Sequence, residues 1–343
     1  MKPVRVLVVD DSATMRGIIA ATLARESGIE IVGQAANPYE AREAIKALNP
    51  DVMTLDVEMP RMDGLDFLDK VMRLRPLPVV MVSNYTGRGA DAAIRAMELG
   101  AIDCISKPSI EYPNAFDALP SVIIAAKGAR VGDRLSATAA QRGAACRTYQ
   151  WDGKIVAIGA STGCVEALIA IVARYPANCP ATLVTVHMPR QFTRSFARRL
   201  DGLTEAHVCE AEDGAPLASG HVYVAPGGGG HLEAAKQGGP VCVLQRGPPV
   251  NGHAPSVDAL FLSVAKNFGG AAIGAILSGM GRDGANGLLA MRTAGARTLG
   301  QDEQTSVVYG MPRTAFECGA VEEQVSVHSI GNRILNLTSL QRC

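Results

Sequence analysis

Residues 4–35 read VRVLVVDDSATMRGIIAATLARESGIEIVGQA. A β-branched run, VRVLVV, stops at two aspartates, a helical stretch follows from Ala13 to Glu26, and a second apolar run, IEIVGQA, closes the unit. Two strands joined through a helix run parallel, because only a crossover connection of that length brings the chain back to the same edge. The rhythm continues through VMTL, VVMVS and DCIS, with helices predicted over Pro38–Leu48, Gly64–Leu74 and Gly89–Leu99 from apolar residues at helical spacing. Residues 1–120 therefore read as an α/β domain on a doubly wound parallel sheet.

Beyond it the composition shifts. Residues 121–150 are rich in small side chains and carry five cations against one aspartate, which marks a linker, helical at its start. From Trp151 a second α/β series opens with KIVAIGA, continues with ATLVTVH and closes its sheet with AAIGAILSG and ARTLGQD, so 151–343 forms a second domain. A length of 343 residues suits two domains. Aromatics make up only 4% of the chain while apolar residues make up 48%, so the cores are aliphatic and a base-stacking surface for single-stranded nucleic acid is not provided for.

The net charge is zero, with 33 basic and 33 acidic side chains, but it is not uniform. Residues 1–120 hold 13 basic and 17 acidic groups, 121–150 hold 5 and 1, and 151–343 hold 15 of each. An acidic domain is offset by a basic linker, which is either a solvated tether or a segment that docks on the first domain. No cationic domain emerges, so nucleic-acid and membrane-surface partners are not expected. The eight cysteines lack the close pairing of a zinc site and read as free thiols of a reducing compartment. The N-terminal apolar run of about six residues is too short and too soon interrupted for the h-region of a leader, and the longest apolar stretch elsewhere, 271–277, falls well below the roughly 18 residues of a membrane span, so a cytoplasmic location is expected.

In a doubly wound sheet the strand C-terminal ends share one edge, where ligands bind. Asp10 and Asp11 follow the first strand, Asp56 the third, Ser83 ends the fourth and Lys107 follows the fifth. Any one aspartate there is also an ordinary helix cap. Together, three carboxylates suit Mg²⁺ and one of them can accept a phosphoryl group, with Lys107 and Ser83 placed to bond its oxygens. The segments VLVVDDSATMR (6–16), LDVEMPRMDGLDFL (55–68), MVSNYT (81–86) and ISKP (105–108) resemble the flavodoxin-like receiver domain of response regulators. The resemblance implies phosphorylation at Asp56, Mg²⁺ held by Asp10, Asp11 and Asp56, a switch pair in Ser83 and Lys107, and a histidine kinase as phosphodonor. Cys104 stands where receivers commonly carry an aromatic ring.

In the second domain KIVAI runs into Gly159-Ala160-Ser161-Thr162-Gly163 and then a helical stretch. A serine at such a turn is either an exposed nucleophile beside helix N–H groups or merely a helix cap. His187 directly follows the strand ATLVTV and Asp283 lies in the turn SGMGRDG after AAIGAIL, so nucleophile, base and orienting acid can meet at one edge. Of the six histidines only His187 is placed in this way, and His207 and His328 read as surface residues. The chain order Ser, His, Asp differs from the Ser, Asp, His of α/β-hydrolases. The GGGG run at 227–230 lacks the residues of a phosphate loop and reads as a turn with close backbone approach. RQFTRSFARRL places Phe192, Phe196 and Leu200 on one helical stripe, with its arginines elsewhere.

The segments GASTGCVEAL (159–168), VHMPRQFTRSFARRLD (186–201), VYVAPGGGGH (222–231), GHAPSVDALF (252–261), LSGMGRDGANGLLAMRTAGA (277–296) and QDEQTSVVYGMPRTA (301–315) resemble the effector domain of the chemotaxis protein-glutamate methylesterases. That resemblance implies a Rossmann-like fold, the catalytic residues Ser161, His187 and Asp283, and helpers at Thr162 and the Met280 backbone. It further implies cofactor-free hydrolysis of glutamate γ-methyl esters on chemoreceptor helices, with glutamine deamidation by the same chemistry. The covalent order of receiver, linker and catalytic domain leads to the expectation that the receiver covers the effector's active site until Asp56 is phosphorylated. Departures are Cys164 after STG, Ser278 in place of a frequent threonine, and one extra glycine in PGGGGH. Cys164 at a helix start reads as a reactive thiol or a buried space-filler. The competing readings are a catalytically impaired relative acting as a phosphorylation-controlled scaffold, and a regulator with a DNA-binding output.

Overall fold

A computed structural model describes residues 2–59, 63–84, 87–110, 113–129, 131 and 149–340. The chain divides into two compact units, Met1–Ala140 and Gln141–Cys343. In the first, strands β1 (Val4–Val9), β2 (Ile29–Ala35), β3 (Val52–Asp56), β4 (Val79–Ser83) and β5 (Asp103–Ser106) form one sheet in the order β2-β1-β3-β4-β5, every pair parallel. The intervening helices are α1 (Ala13–Leu23), α2 (Pro38–Leu48), α3 (Gly64–Leu74) and α4 (Gly87–Glu98), with α5 (Leu119–Lys127) after the last strand. β3 and β4 are buried along their whole length, as a parallel sheet covered on both faces requires.

The expected helices agree except at their ends. α1 stops at Leu23, three residues before Glu26, because the next residues fold into turn bonds, Glu26 N–H donating to the Leu23 carbonyl at 3.1 Å. α4 is displaced by two residues at its start and one at its end. The larger difference is α5. It crosses the expected boundary at residue 120, buries Leu119, Val122, Ile123 and Ala126, and packs on α1 and the sheet. The helical start expected of the linker is thus an element of the first domain, while most of 121–150 lies outside the described residues.

The second unit contains β6 (Ile155–Ala160), α6 (Cys164–Val172), β7 (Thr182–Val186), α7 (Arg190–Asp201), β8 (His207–Glu210), β9 (His221–Val224), β10 (His231–Lys236) and β11 (Pro240–Gln245). There follow α8 (Val257–Phe268), β12 (Ala272–Ile276), α9 (Ala285–Thr293), β13 (Arg297–Gln301), α10 (Met311–Glu317), β14 (Glu323–Val325) and α11 (Val327–Leu337). Seven strands make a parallel sheet in the order β14-β13-β12-β6-β7-β9-β8, while β10 and β11 form a separate antiparallel hairpin. All four expected strands are in the sheet, but β13 does not close it: β14 lies outside, and β8 and β9 extend the other edge. Those additions are only three or four residues long; β8 and β14 mix polar with apolar residues, and the apolar Val222, Tyr223 and Val224 of β9 make too short a run to stand out.

Ile155 and Ala157 share a buried cluster with Leu260, Phe261 and Val264 of α8 and Leu288 and Met291 of α9. By strand alternation Val156, Ile158 and Ala160 point to the opposite face. α7 buries Phe192, Phe196 and Leu200 and leaves its arginines exposed, the arrangement its spacing predicts. The sheet order turns back at β6, which has β7 on one side and β12 on the other. The ends of these three strands flank the crevice where such sheets bind ligands.

Candidate active site

Ser161 follows β6, His187 follows β7, and the turn carrying Asp283 follows β12. Parallel register sets these ends side by side: Ala160 pairs with Val186 and Gly159 with Ile276. Ser161 donates its N–H to the Ser278 carbonyl at 3.0 Å and its carbonyl accepts from Cys164 N–H at 2.9 Å, so the turn that carries it is tied at both ends. Gly163 turns the chain into α6 with φ of 78°, a left-handed value, and a Cβ there would collide with Val307. Ser161 remains half-exposed.

Ser278, noted from the sequence only as a departure, is fully buried and binds three segments together. Its hydroxyl donates to the Thr162 carbonyl at 2.8 Å and accepts from Val308 N–H at 3.0 Å, while its own N–H donates to Gln301 Oε1 at 2.7 Å. Thr162 is buried in the same turn, and Met280 is half-buried after β12.

His187 and Asp283 meet directly, with Nε2 2.8 Å from Oδ2 and both side chains almost wholly buried. The carboxylate also accepts from Val257 N–H at 2.7 Å, Ser256 Oγ at 2.8 Å, Asn251 Nδ2 at 2.9 Å and Asp258 N–H at 3.2 Å. Two of these donors are the first N–H groups of α8, where the helix end is positive. Burial by itself raises the Asp283 carboxyl, but the hydrogen bonds from His187, Asn251 and Val257 outweigh it and hold the group below the usual carboxylate range. With an ionised acceptor opposite it, Nε2 must carry the proton, which leaves the lone pair on Nδ1. Nδ1 is buried and makes no hydrogen bond. It is the basic atom of the site, on the ring edge away from Asp283.

The loop before α8 was not legible as part of this site. Asn251, Ser256 and His253 all come from it, and the His253 ring lies flat on His187 with centroids 3.6 Å apart and planes within 1°. Burial and the neighbouring His187 lower His253 to about 4, against the opposing pull of Asp283. The HxPSxD wording of residues 253–258 holds one usable signal, a serine N-cap before an apolar helix. His207 and His328 are exposed, as expected. His231 is buried, accepting from Ser256 N–H at Nδ1 and donating from Nε2 to the Pro248 carbonyl. In the glycine run, a Cβ on Gly227 would collide with the backbone of Met188 and Arg190, the close approach that the run suggested.

In the first unit Asp10, Asp56 and Lys107 form a buried cluster, Lys107 Nζ lying 2.9 Å from both Asp10 Oδ2 and Asp56 Oδ2. Oxygens of Asp10, Asp11 and Asp56 fall within 4.8 Å of one another. Asp10 Oδ2 is buried without an aligned hydrogen-bond donor, although Lys107 is near. Three hard oxygen donors so close together fit a small dication. Burial pushes Asp56 up to about 6, opposed by Lys107. Lys107 is itself raised: burial disfavours its charge, but Asp56 and Asp10 outweigh burial. Ser83 is buried beside Lys107, whose N–H donates to the Ser83 carbonyl at 2.8 Å. Cys104 is buried in β5 with its thiol pushed far above the ordinary range, first by burial and then by Asp103 and Asp56. Cys164 is buried at the start of α6, as a space-filling residue would be.

Fold and sites together define a receiver-type phosphate switch joined in one chain to an α/β domain with serine-hydrolase side chains at its sheet edge. A family profile described as CheB methylesterase matches residues 156–334, and one described as response regulator receiver domain matches residues 6–113. The chain belongs to the CheB methylesterase family. A Caulobacter vibrioides protein named protein-glutamate methylesterase/protein-glutamine glutaminase 1 is 57% identical over 345 residues, covering 100% of both chains. An Agrobacterium fabrum protein of the same kind is 55% identical, covering 98% of this chain and 97% of its own. The crystal structure of the Thermotoga maritima CheB methylesterase catalytic domain is 37% identical with a TM-score of 0.53, covering 54% of this chain and 98% of that one. Among the described residues no helix is long and apolar enough to cross a membrane.

Proposed function

We propose that the chain is a phosphorylation-activated serine hydrolase that removes methyl groups from glutamate γ-methyl esters of chemoreceptors, resetting sensitivity in chemotactic adaptation. The observation that carries this reading is the buried His187–Asp283 pair, whose bonding leaves Nδ1 of His187 as the basic atom at the strand ends that hold Ser161. Ser161 Oγ attacks the ester carbonyl as Nδ1 takes its proton. The tetrahedral intermediate collapses, the C–OCH3 bond breaks, and methanol leaves with the proton returned from His187. Water then attacks the acyl-enzyme, again giving its proton to Nδ1, and glutamate departs as Ser161 regains a proton. Asp283 keeps the tautomer and stabilises the imidazolium. Thr162 and the Met280 N–H assist around the oxyanion. With glutamine as substrate the same steps release ammonia.

In the receiver, Asp56 accepts the phosphoryl group from a histidine kinase, and Lys107 and Ser83 bond its oxygens. Asp10, Asp11 and Asp56 would hold Mg²⁺, which when bound would supply positive charge against the phosphoryl oxygens. The esterase chemistry calls on no cofactor. The enzyme works in the cytoplasm on the cytoplasmic helices of its receptors. A fluorophosphonate probe tests the nucleophile: it is expected to label Ser161 in the intact protein and to label nothing in Ser161→Ala. Labelling at another residue, or methanol release that survives Ser161→Ala, would remove Ser161 from the reaction.

A further inference from the structure

One contact of the base is unused by the mechanism above. A histidine ring swings about its Cβ–Cγ bond, and the hydrogen bond from Nε2 to Asp283 fixes one point of the ring without fixing its plane. The direction of the Nδ1 lone pair therefore depends on what bears on the ring's face. His253 bears on it at van der Waals distance, 3.6 Å between centroids and parallel to within 1°. Its backbone is pinned, with reciprocal N–H to carbonyl bonds of 3.0 Å to Val250. On either side in the loop, Asn251 and Ser256 bond Asp283, so one short segment holds both partners of the dyad.

We infer that His253 is a positioning residue for the reaction, a flat ring that keeps the His187 imidazole in the plane joining Asp283 to Ser161 and shields that face of the base from water. A ring stacked on an imidazolium must not itself be charged, since two cations at this distance repel. The titratable groups facing His253 are His187, from the end of β7, which disfavours its protonation, and Asp283, from the turn after β12, which favours it. Burial adds to the first effect and keeps His253 neutral well above pH 4. A phenyl ring meets the same demands of flatness and neutrality; a methyl group meets neither the area nor the shielding.

The inference rests on the methylesterase reading, and two readouts separate their failures. Full-length, phosphorylated wild type, His253→Ala and His253→Phe are assayed for kcat and KM on methylated receptor membranes across pH. The ¹⁵N-imidazole resonances of His187 are titrated in the same proteins without substrate. His253→Ala is expected to lower kcat on the order of 10²-fold with KM little changed, as misorientation of a reacting group does. Its pH profile and the ¹⁵N-imidazole resonances of His187 are expected to depart from wild type, because water then reaches the ring face that His253 covers. His253→Phe is expected to keep most of the activity and the wild-type titration. Wild-type kcat and titration in His253→Ala would overturn the inference, as would a His253→Phe protein that melts normally yet is as impaired as the alanine variant. If His253→Ala does not fold, His253→Leu, of similar bulk without a flat ring, takes its place. Absence of methanol release from the wild type would sink the functional reading, while the NMR titration would still decide the role of the stack.

Discussion

Asp283 receives five hydrogen bonds, two from side chains of the 251–256 loop, two from the first N–H groups of α8 and one from His187. An amide in its place turns a donor toward donors. Asp283→Asn is therefore expected to cost about 1–3 kcal/mol of stability in a denaturant melt, the penalty of leaving buried donors unmatched. It is also expected to reduce kcat on the order of 10⁴-fold by losing the His187 tautomer. The carboxyl is lowered from its ordinary 3.8, so its contribution to stability is complete above about pH 4 and is lost only as pH falls through the lower folded value. His253, lowered to about 4, is likewise out of play at higher pH. With Asp283 ionised and His253 neutral well above pH 4, neither group is expected to shape the pH profile of kcat/KM near neutrality. A profile in which replacing His253 removes a proton from a limb near neutral pH would contradict this.

At the scale of elements, the strand ends were legible and the loops were not. Asp10, Asp56, Ser161 and His187 follow apolar runs whose period identifies them as strands, and parallel topology then places their ends on one edge. Asn251, His253 and Ser256 sit in an irregular stretch with no period, and only tertiary folding brings them to Asp283. The hairpin β10–β11 and the short strands β8, β9 and β14 were missed for a related reason: β8, β9 and β14 are only three or four residues long, and the apolar residues 222–224 of β9 and 241–244 of β11 lie among glycine- and proline-rich turns, outside the strand–helix rhythm of the rest. α5 shows the opposite failure, a helix whose composition of small and apolar residues reads as a tether although four of its side chains are buried on the receiver. A receiver fragment ending at 120 is expected to melt well below one ending at 129. Val122 and Ile123 alone would forfeit roughly 1.5–3 kcal/mol each when their burial is lost. Equal melting temperatures would show that α5 is dispensable to the receiver.

For the whole molecule, zero net charge conceals an acidic switch domain, a basic connecting stretch and a balanced catalytic domain. Asp56, the proposed phosphoacceptor, and Ser161, His187 and Asp283, the proposed hydrolase residues, lie in separate compact units, each on the C-terminal edge of its own parallel sheet. One covalent event at Asp56 is thus proposed to govern chemistry at Ser161 in another domain, and that coupling is the central claim. The most direct measurement is methanol release from methylated receptor membranes, with and without a small phosphodonor, for the intact protein, Asp56→Ala and Ser161→Ala. The phosphodonor is expected to raise release by the intact protein, to leave Asp56→Ala at its basal rate, and to find no release from Ser161→Ala in either condition. Equal stimulation of the intact protein and Asp56→Ala, or undiminished release from Ser161→Ala, would contradict it.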